Sequence, residues 1–321
     1  MTQPPKPGVH YGVPFSEYRQ WDAINPSFLT TLSNETPYHA KYDLNHPKPE
    51  TDATRVGRAL HSKILEPATF DDFWTVLTED PPRRPSDRQR NAKTPSAATL
   101  AAIEFWDGIA ASGKDIIKPK EYALVTAMAK EVCRQQCVNL VSGGKAEVCI
   151  VWQDPDTGLT CKSRLDYERS YGWNHFITDL KSSRDINPRR FQNDIPKFGY
   201  ALAAAMRIDG WRILTGDDSK YDLLAVDKGY CVAWTKEVDE DTIEAGRDDY
   251  SKALERTAEC METGVWPAYG QDVGFIRAPE WYLREHGVGP YNMRPEPAGG
   301  PKYAPGEEPE HDEIDDFLKG D

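Results

Sequence analysis

The stretch that decides the fold is Leu159-Thr160-Cys161-Lys162-Ser163-Arg164-Leu165-Asp166, followed after a turn by His175-Phe176-Ile177-Thr178-Asp179-Leu180-Lys181. Leu159, Cys161, Ser163 and Leu165 alternate with Thr160, Lys162, Arg164 and Asp166. A period of two puts successive side chains on opposite faces of a strand, so Asp166 is predicted on the polar face, at the strand's end. Asp179 and Lys181 share a face of the next strand, while Phe176, Thr178 and Leu180 take the opposite face and can enter the core. Tyr171-Gly172-Trp173-Asn174 reads as the turn between the two strands. Upstream, 147–152 reads as a strand and Asp154-Pro155-Asp156-Thr157-Gly158 as its turn. Three strands joined by short turns form an antiparallel meander.

The meander brings two carboxylates and one ammonium to one edge of a sheet. Hydrolysis of a phosphodiester at neutral pH uses this set. The carboxylates hold Mg2+, with Mn2+ an expected substitute, and the cation activates water and neutralises transition-state charge. The lysine orients or deprotonates the nucleophile. A D-x-K pair alone occurs in many strands, and a surface Asp–Lys arrangement is the plain alternative. The strand–turn–strand–helix context raises the metal-site reading because it also supplies Asp166. Glu147 reads either as a further metal ligand, direct or through water, or as an ordinary exposed strand-end carboxylate. Gly57 and His61 stand at i and i+4 of a helix, where the glycine removes bulk beside the imidazole. Such a histidine is, on its own, more often packed than a ligand.

Working outward, a loop over 182–187 leads to a helix predicted over 188–208. Phe191, Ile195, Phe198, Leu202 and Ala205 give it one apolar stripe. Strands are expected near 221–226 and 230–234, then a long polar-faced helix over 239–263 ending at Gly264. Towards the N-terminus, 96–140 reads as helical with a break near Ser112-Gly113-Lys114, 79–95 as a polar loop and 52–66 as a helix that Pro67 helps end. Residues 16–44 read as short helices started at Asn25-Pro26-Ser27 and Glu35-Thr36-Pro37. The expected organisation is an extended arm over 1–14, one α/β domain over 15–292 and an acidic, disordered tail over 293–321. Within the domain, a helical section over 15–140 precedes a core over 141–292 built as a mixed sheet flanked by helices. No internal repeat is present.

The 321 residues, 39% apolar, suffice for one large domain or two modest ones. No apolar run approaches the ~20 residues that cross a bilayer. The first residues carry no apolar stretch after a basic region, so a soluble, cytoplasmic protein without a membrane partner is expected. The six cysteines are dispersed, and Cys133 and Cys137 lack the two further ligands that a zinc or iron–sulfur site needs. A net charge of −13 argues against a generic basic coat for nucleic acid, although cations bound to acidic ligands would invert the sign locally. Residues 294–321 hold nine acids and three bases, a net of −6 that leaves −7 for the other 293. No G-x4-G-K-[ST] loop is present, which disfavours a nucleotide-driven motor.

Arg83, Arg84, Arg88, Arg90 and Lys93 form the most basic segment, either a loop gripping phosphates or a solvated linker. Arg184, Arg189 and Arg190 follow the D-x-K strand and are placed to contact phosphates beside a helix N-terminus. Ile314, Phe317 and Leu318, set among acids, read as a partner-docking peptide or, more simply, as part of a solubilising tail.

Together these residues resemble the exodeoxyribonuclease VIII (RecE-type) family of PD-(D/E)XK nucleases, found mainly in phages and prophages. The resemblance spans about residues 11–269. It rests on the Tyr18 and Pro26-Ser27 region, Gly57-x3-His61 with Leu65-Glu66-Pro67, the Gly113-Lys114 and Ile116-Ile117 stretch, and Glu147. It continues through Lys162-x-Arg164-x-Asp166, Asp179-Leu180-Lys181-Ser182-Ser183 and Gly264-x-Trp266-Pro267-x-Tyr269. It implies a Mg2+-dependent exonuclease running 5′-to-3′ on linear duplex DNA ends, leaving 3′ single strands for phage homologous recombination in the host cytoplasm. It also implies metal ligands at Asp166, Asp179 and the Leu180 carbonyl, with His61 near a metal and Lys181 at the attacking water. The expected partners are duplex DNA ends, other copies in a ring-like homo-oligomer, and a single-strand annealing protein.

One departure stands on the helix after the D-x-K strand. Where such nucleases carry Q-x3-Y, this chain has Ala203 and Arg207. Tyr200 remains, and Arg207 is the candidate to compensate by contacting a phosphate. The iron–sulfur branch, which includes CRISPR-associated exonucleases, is disfavoured by its missing cysteine cluster. Two rival readings stay open. One is a non-catalytic DNA-binding or inhibitory protein on the same fold; the other is an endonuclease or single-strand exonuclease.

Overall fold

The alternating segments are realised as two long neighbouring strands inside a six-stranded mixed sheet. The structure is a computed structural model and describes residues 2–134, 141–270 and 276–288. Its N-terminal part runs β1 (Gly8–His10), α1 (Phe15–Gln20), α2 (Pro26–Asn34), α3 (Pro37–Asn45), α4 (Asp52–Leu65) and α5 (Phe70–Phe73). There follow β2 (Trp74–Val76), α6 (Asp87–Arg90), α7 (Ala97–Ser112), β3 (Asp115–Ile117) and α8 (Pro119–Arg134). The meander is β4 (Lys145–Gln153), β5 (Thr160–Tyr171) and β6 (Asn174–Ser183). Then come α9 (Pro188–Phe191), α10 (Asp194–Lys197), α11 (Tyr200–Thr215), β7 (Ser219–Asp227), β8 (Ala233–Glu237) and α12 (Glu240–Thr263).

The chain divides into two units, residues 1–269 and 270–321. The second contains α13 (Glu280–Glu285). The tail expected over 293–321, with its docking-peptide reading, and Cys137 lie outside the described residues. Among the described residues no helix is long and apolar enough to cross a membrane.

The sheet order is β1-β4-β5-β6-β7-β8. β4, β5 and β6 pair antiparallel, as their short turns require. β7 lies parallel to β6 and is reached by a crossover through α11, while β8 returns antiparallel. β2 and β3 form a small parallel pair of their own. Both faces of the main sheet are covered. Val148, Ile150, Leu165 and Ile177 pack under Leu29, Met206 and Leu254 from α2, α11 and α12. Tyr167, Leu180 and Leu224 pack on the other face under Leu60, Val125 and Met128 from α4 and α8. Burial on both faces explains why β7 reads as a continuous apolar run, Tyr221 to Val226, broken only by Asp222.

Several elements differ from their sequence reading. The helix expected over 188–208 is three pieces, α9, α10 and α11, broken around Asn193 and Gly199. Phe198, placed on the apolar stripe, is 49% exposed. β5 does not end at Asp166 but continues to Tyr171, because its last residues pair with the start of β6. The strand expected over 230–234 begins at Ala233, and Tyr230 and Cys231 form the turn before it. The helical stretch over 96–140 contains the short strand β3. The N-terminal segment contributes β1, which pairs with β4 along the sheet edge.

Candidate active site

The ladder registers put three carboxylates in one row. Ala146 faces Tyr167 and Val148 faces Leu165, so Glu147 lies across from Asp166. The β5–β6 ladder runs from Tyr171 opposite Asn174 to Tyr167 opposite Thr178, so the next pair is Asp166 and Asp179. At this pair the two strands part. β6 continues on β7 as far as Ser183 opposite Asp227, and β5 continues on β4 as far as Thr160 opposite Gln153. The fork releases a backbone donor from the ladder, and the Leu180 N–H turns to Asp166 Oδ2 at 2.8 Å. Glu147 sits in the row with φ +54°, a left-handed backbone uncommon for a side-chain-bearing residue.

α4 brings His61 over this row. The helix is N-capped by Thr51, which accepts the Thr54 N–H at 3.1 Å, and it buries Val56, Ala59, Leu60 and Ile64 against the sheet. His61 borders that face. Its Nε2 donates to the Leu180 carbonyl at 3.0 Å. Its Nδ1 is 3.7 Å from both Glu147 Oε1 and Asp166 Oδ2. A Cβ on Gly57 would meet only Ser182 Oγ, at 3.8 Å, so α4 is near β6 there without depending on the glycine.

Asp179 is held from two sides. Lys181 Nζ is 2.6 Å from Oδ2, and Arg207 Nη1 donates to Oδ1 at 2.7 Å. Arg207 also donates to the Tyr221 hydroxyl at 2.5 Å and the Ser163 hydroxyl at 3.2 Å. The Lys181 ammonium lies 5.4 Å from the centre of the Tyr200 ring, a cation–π distance. Glu147 is paired with Arg164, which also donates to the Val13 carbonyl at 2.8 Å.

The electrostatics follow from this crowding. Burial pushes the Asp166 carboxyl upward, and the neighbouring Asp179 charge adds to the effect. Burial would raise Asp179 too, but Arg207 and Lys181 outweigh it and hold that carboxyl well below the usual range. The two carboxyl groups are close enough to titrate as a pair, with Asp166 the member pushed up and Asp179 the member held down. Burial would depress His61, yet Asp166 and Glu147 prevail and raise it to about 9. The protonated imidazole is the cation at the centre of the row.

The structure thus brings Glu147, Asp166, Asp179, Leu180, Lys181 and His61 together, with Tyr200 beside them. Arg207 is placed differently from its expected phosphate-facing position: it is largely buried and engaged with Asp179. The exposed Arg84 stacks on Trp106 of α7 at 4.2 Å, and Arg88 is exposed on the one-turn α6. Arg184, Arg189 and Arg190 are exposed, and Arg190 pairs with Asp185 at 2.7 Å. The helix N-terminus expected beside them belongs to α9, a single turn too short to carry much dipole. Arg164 and Tyr221 were assigned no role from the sequence. Arg164 could have been found as the residue opposite Cys149, two along from Glu147, on the same face. Tyr221 carries no signal beyond its strand.

Among the described residues, no three His, Cys, Asp or Glu side chains converge as a ready-made metal cage. Each carboxylate is committed to a cation or a backbone donor instead. The donors are nonetheless of the right kind. Carboxylate and carbonyl oxygens suit Mg2+ or Mn2+, and the crowded like charges of Asp166 and Asp179 mark a place that a divalent cation would relieve.

The model of a family described as a PDDEXK-like domain of unknown function (DUF3799) matches residues 15–279. Among solved structures, a "putative exonuclease" from Eubacterium rectale aligns with a TM-score of 0.56 at 11% identity, covering 86% of this chain and 98% of that one. At that identity the likeness concerns the fold. SSO0001 aligns with a TM-score of 0.26 at 15% identity, over 62% of this chain and 86% of that one. A search of curated proteins finds no match.

Proposed function

The chain belongs to the PDDEXK-like family DUF3799, and on that footing we propose that it is a divalent-metal-dependent DNA exonuclease of the exodeoxyribonuclease VIII kind. The observation that carries the reading is the row Glu147–Asp166–Asp179 at the strand fork, with Lys181 on one side and His61 on the other. Asp166, Asp179 and the Leu180 carbonyl would hold Mg2+, with Glu147 and His61 adjoining. When bound, the ion supplies charge neutralisation and an acidified water.

The chain's own groups do the rest. Arg207 fixes the far oxygen of Asp179, so the near oxygen keeps one orientation. Lys181, released from Asp179, can orient the attacking water and take part in its deprotonation. Tyr200 offers that ammonium an aromatic face while it is away from the carboxylate. Glu147 is anchored by Arg164, which keeps it in the row.

We further propose 5′-to-3′ action on linear duplex ends in phage recombination, a ring-like assembly of copies, and an annealing protein that takes up the exposed strand. The test uses linear duplex labelled at the 5′ or the 3′ end, closed circular duplex and single-stranded DNA, with Mg2+ or with chelator. Release of 5′ label first, only from linear duplex and only with metal, is the expected result. Asp179→Ala and Lys181→Ala should each lower the rate by about 100-fold or more. Full activity in either variant overturns the assignment, and cutting of closed circles makes the protein an endonuclease. The second cation on Asp179 favours one rival, a DNA-binding protein without catalysis; Mg2+-dependent binding with no nucleotide release would establish it.

A further inference from the structure

Past the end of β6, a groove of about 440 Å³ opens between the loop leading to α9 and the β7–β8 turn. Its floor is apolar, formed by Ile186, Val232, Ala233 and Trp234. The Trp234 ring is fixed there, since its Nε1–H donates to the Ile186 carbonyl at 2.6 Å and Phe191 packs edge-on at 5.0 Å. Tyr230 stands at the turn with 86% of its surface exposed. The exposed ring beside an apolar floor offers a stacking surface.

The carboxylates at the rim are committed. Asp227 Oδ1 accepts the Gly229 and Tyr230 N–H groups, both at 2.7 Å. Asp185 accepts the Asn187 N–H at 2.9 Å and pairs with Arg190 at 2.7 Å. Arg184 lines the groove, and Lys228 is anchored beside it through its N–H to the Ser183 carbonyl at 2.8 Å. Among the described residues, neither Arg184 nor Lys228 makes an ion pair, in a chain whose net charge is −13. Burial, and after it the nearby Arg184 charge, press the Lys228 ammonium towards neutrality, so the two cations are near enough to share one anion.

We propose that this groove is a nucleotide subsite that takes one unit of a single DNA strand, its phosphate between Arg184 and Lys228 and its base against Tyr230 over the apolar floor. The inference rests on the nuclease reading and deepens it. Lys181 and Arg184 are three residues apart, about 10 Å along an extended chain. A strand with its scissile phosphate at Lys181 is thus close enough for a nearby phosphate to reach the groove. Stacking on an aromatic face tolerates any base, as an enzyme that degrades DNA without sequence preference requires.

The test measures binding of a labelled oligothymidylate to the metal-free protein as salt is varied. The Arg184→Gln/Lys228→Gln double variant should bind about tenfold more weakly, and its log–log salt slope should fall by about 0.7, the value for one neutralised phosphate on a single strand. Tyr230→Ala should weaken binding by at least about fivefold with the slope unchanged. An unchanged affinity and slope in the double variant overturns the subsite. So does free thymidine monophosphate binding as tightly as the oligonucleotide, which would make the groove a product pocket. Because no cleavage is measured, a protein that proves inactive yet shows these effects refutes the nuclease reading and leaves the nucleotide site standing.

Discussion

His61 holds its proton 3.7 Å from Glu147 and Asp166, beside the carboxylates proposed to hold a divalent ion. Its value of about 9 lies above the ordinary 6.5. The charged ring therefore stabilises the metal-free fold fully below about pH 6.5, and that contribution is lost as pH rises past about 9. The full swing is on the order of 3 kcal/mol. The metal-free protein should melt lower at pH 9 than at pH 6.5, and His61→Gln should flatten the difference. On the proposed metal site, binding would expel the same proton, so Mg2+ affinity should climb with pH across this window. Titration calorimetry in buffers of different ionisation enthalpy would detect the released proton, and an affinity independent of pH would sink the account. Arg207 calls for a separate experiment. It is bonded to Asp179 and not directed at solvent, so Arg207→Gln should cost about 3 kcal/mol of stability. It should also tighten Mg2+ binding, because one competitor for Asp179 is gone. A phosphate-contacting arginine would behave in the opposite way, leaving stability alone and lowering the salt slope of DNA binding by about one.

At the level of elements, the meander was legible because alternation and turn chemistry agreed. Leu159 to Asp166 has a clean period of two, and Gly158 and Gly172 close the turns. The row itself was half legible. Asp179 and Lys181 follow from spacing, but the alignment of Glu147 with Asp166 depends on register, which a single strand does not encode. The fork at Asp166 was invisible because it depends on where two strands stop pairing. The helix over 188–208 was misread because its apolar stripe runs on past Pro196 and Gly199, and spacing of side chains does not register a broken backbone. Gly199 is the informative residue. It has φ +66°, and a Cβ there would collide with Thr30 of α2. Gly199→Ala should cost about 1–2 kcal/mol for the left-handed backbone alone, plus displacement of Thr30. The melting temperature should fall by several degrees, and activity at low temperature should fall with it, since Tyr200 begins α11 next to Lys181. A variant as stable and as active as the parent would show that the α11 entry does not position the site.

Across the whole molecule, the first two dozen residues are tied to the strands that carry the row. Thr2 bridges to Trp21, β1 pairs with β4, and Ile24 bridges to Cys161. Val13 supplies a carbonyl to Arg164, the partner of Glu147. The tightest tie is Lys162, on the face of β5 opposite Cys161. Its ammonium is buried and donates to the Tyr18 carbonyl at 3.0 Å and the Trp21 carbonyl at 2.5 Å, beneath the Tyr18 ring. Carbonyls satisfy its protons without cancelling its charge, so burial lowers it to about 8 from the ordinary 10.5, with Asp22 resisting. A depressed value means that the unfolded chain binds the proton more tightly. Its favourable contribution is therefore complete above pH 10.5 and is lost as pH falls through 8, where the charge must be buried. The shift amounts to roughly 3 kcal/mol. The intact protein should gain stability from this group between pH 8 and 10.5, and Lys162→Met should remove that slope, seen in denaturant midpoints across the range. Below pH 8, the variant exchanges a buried charge for two unpaired carbonyls, and these costs are similar in size. If the slope persists in Lys162→Met, the ammonium is not what couples the N-terminal segment to β5, and the coupling must lie in the β1–β4 ladder and the Val13–Arg164 contact.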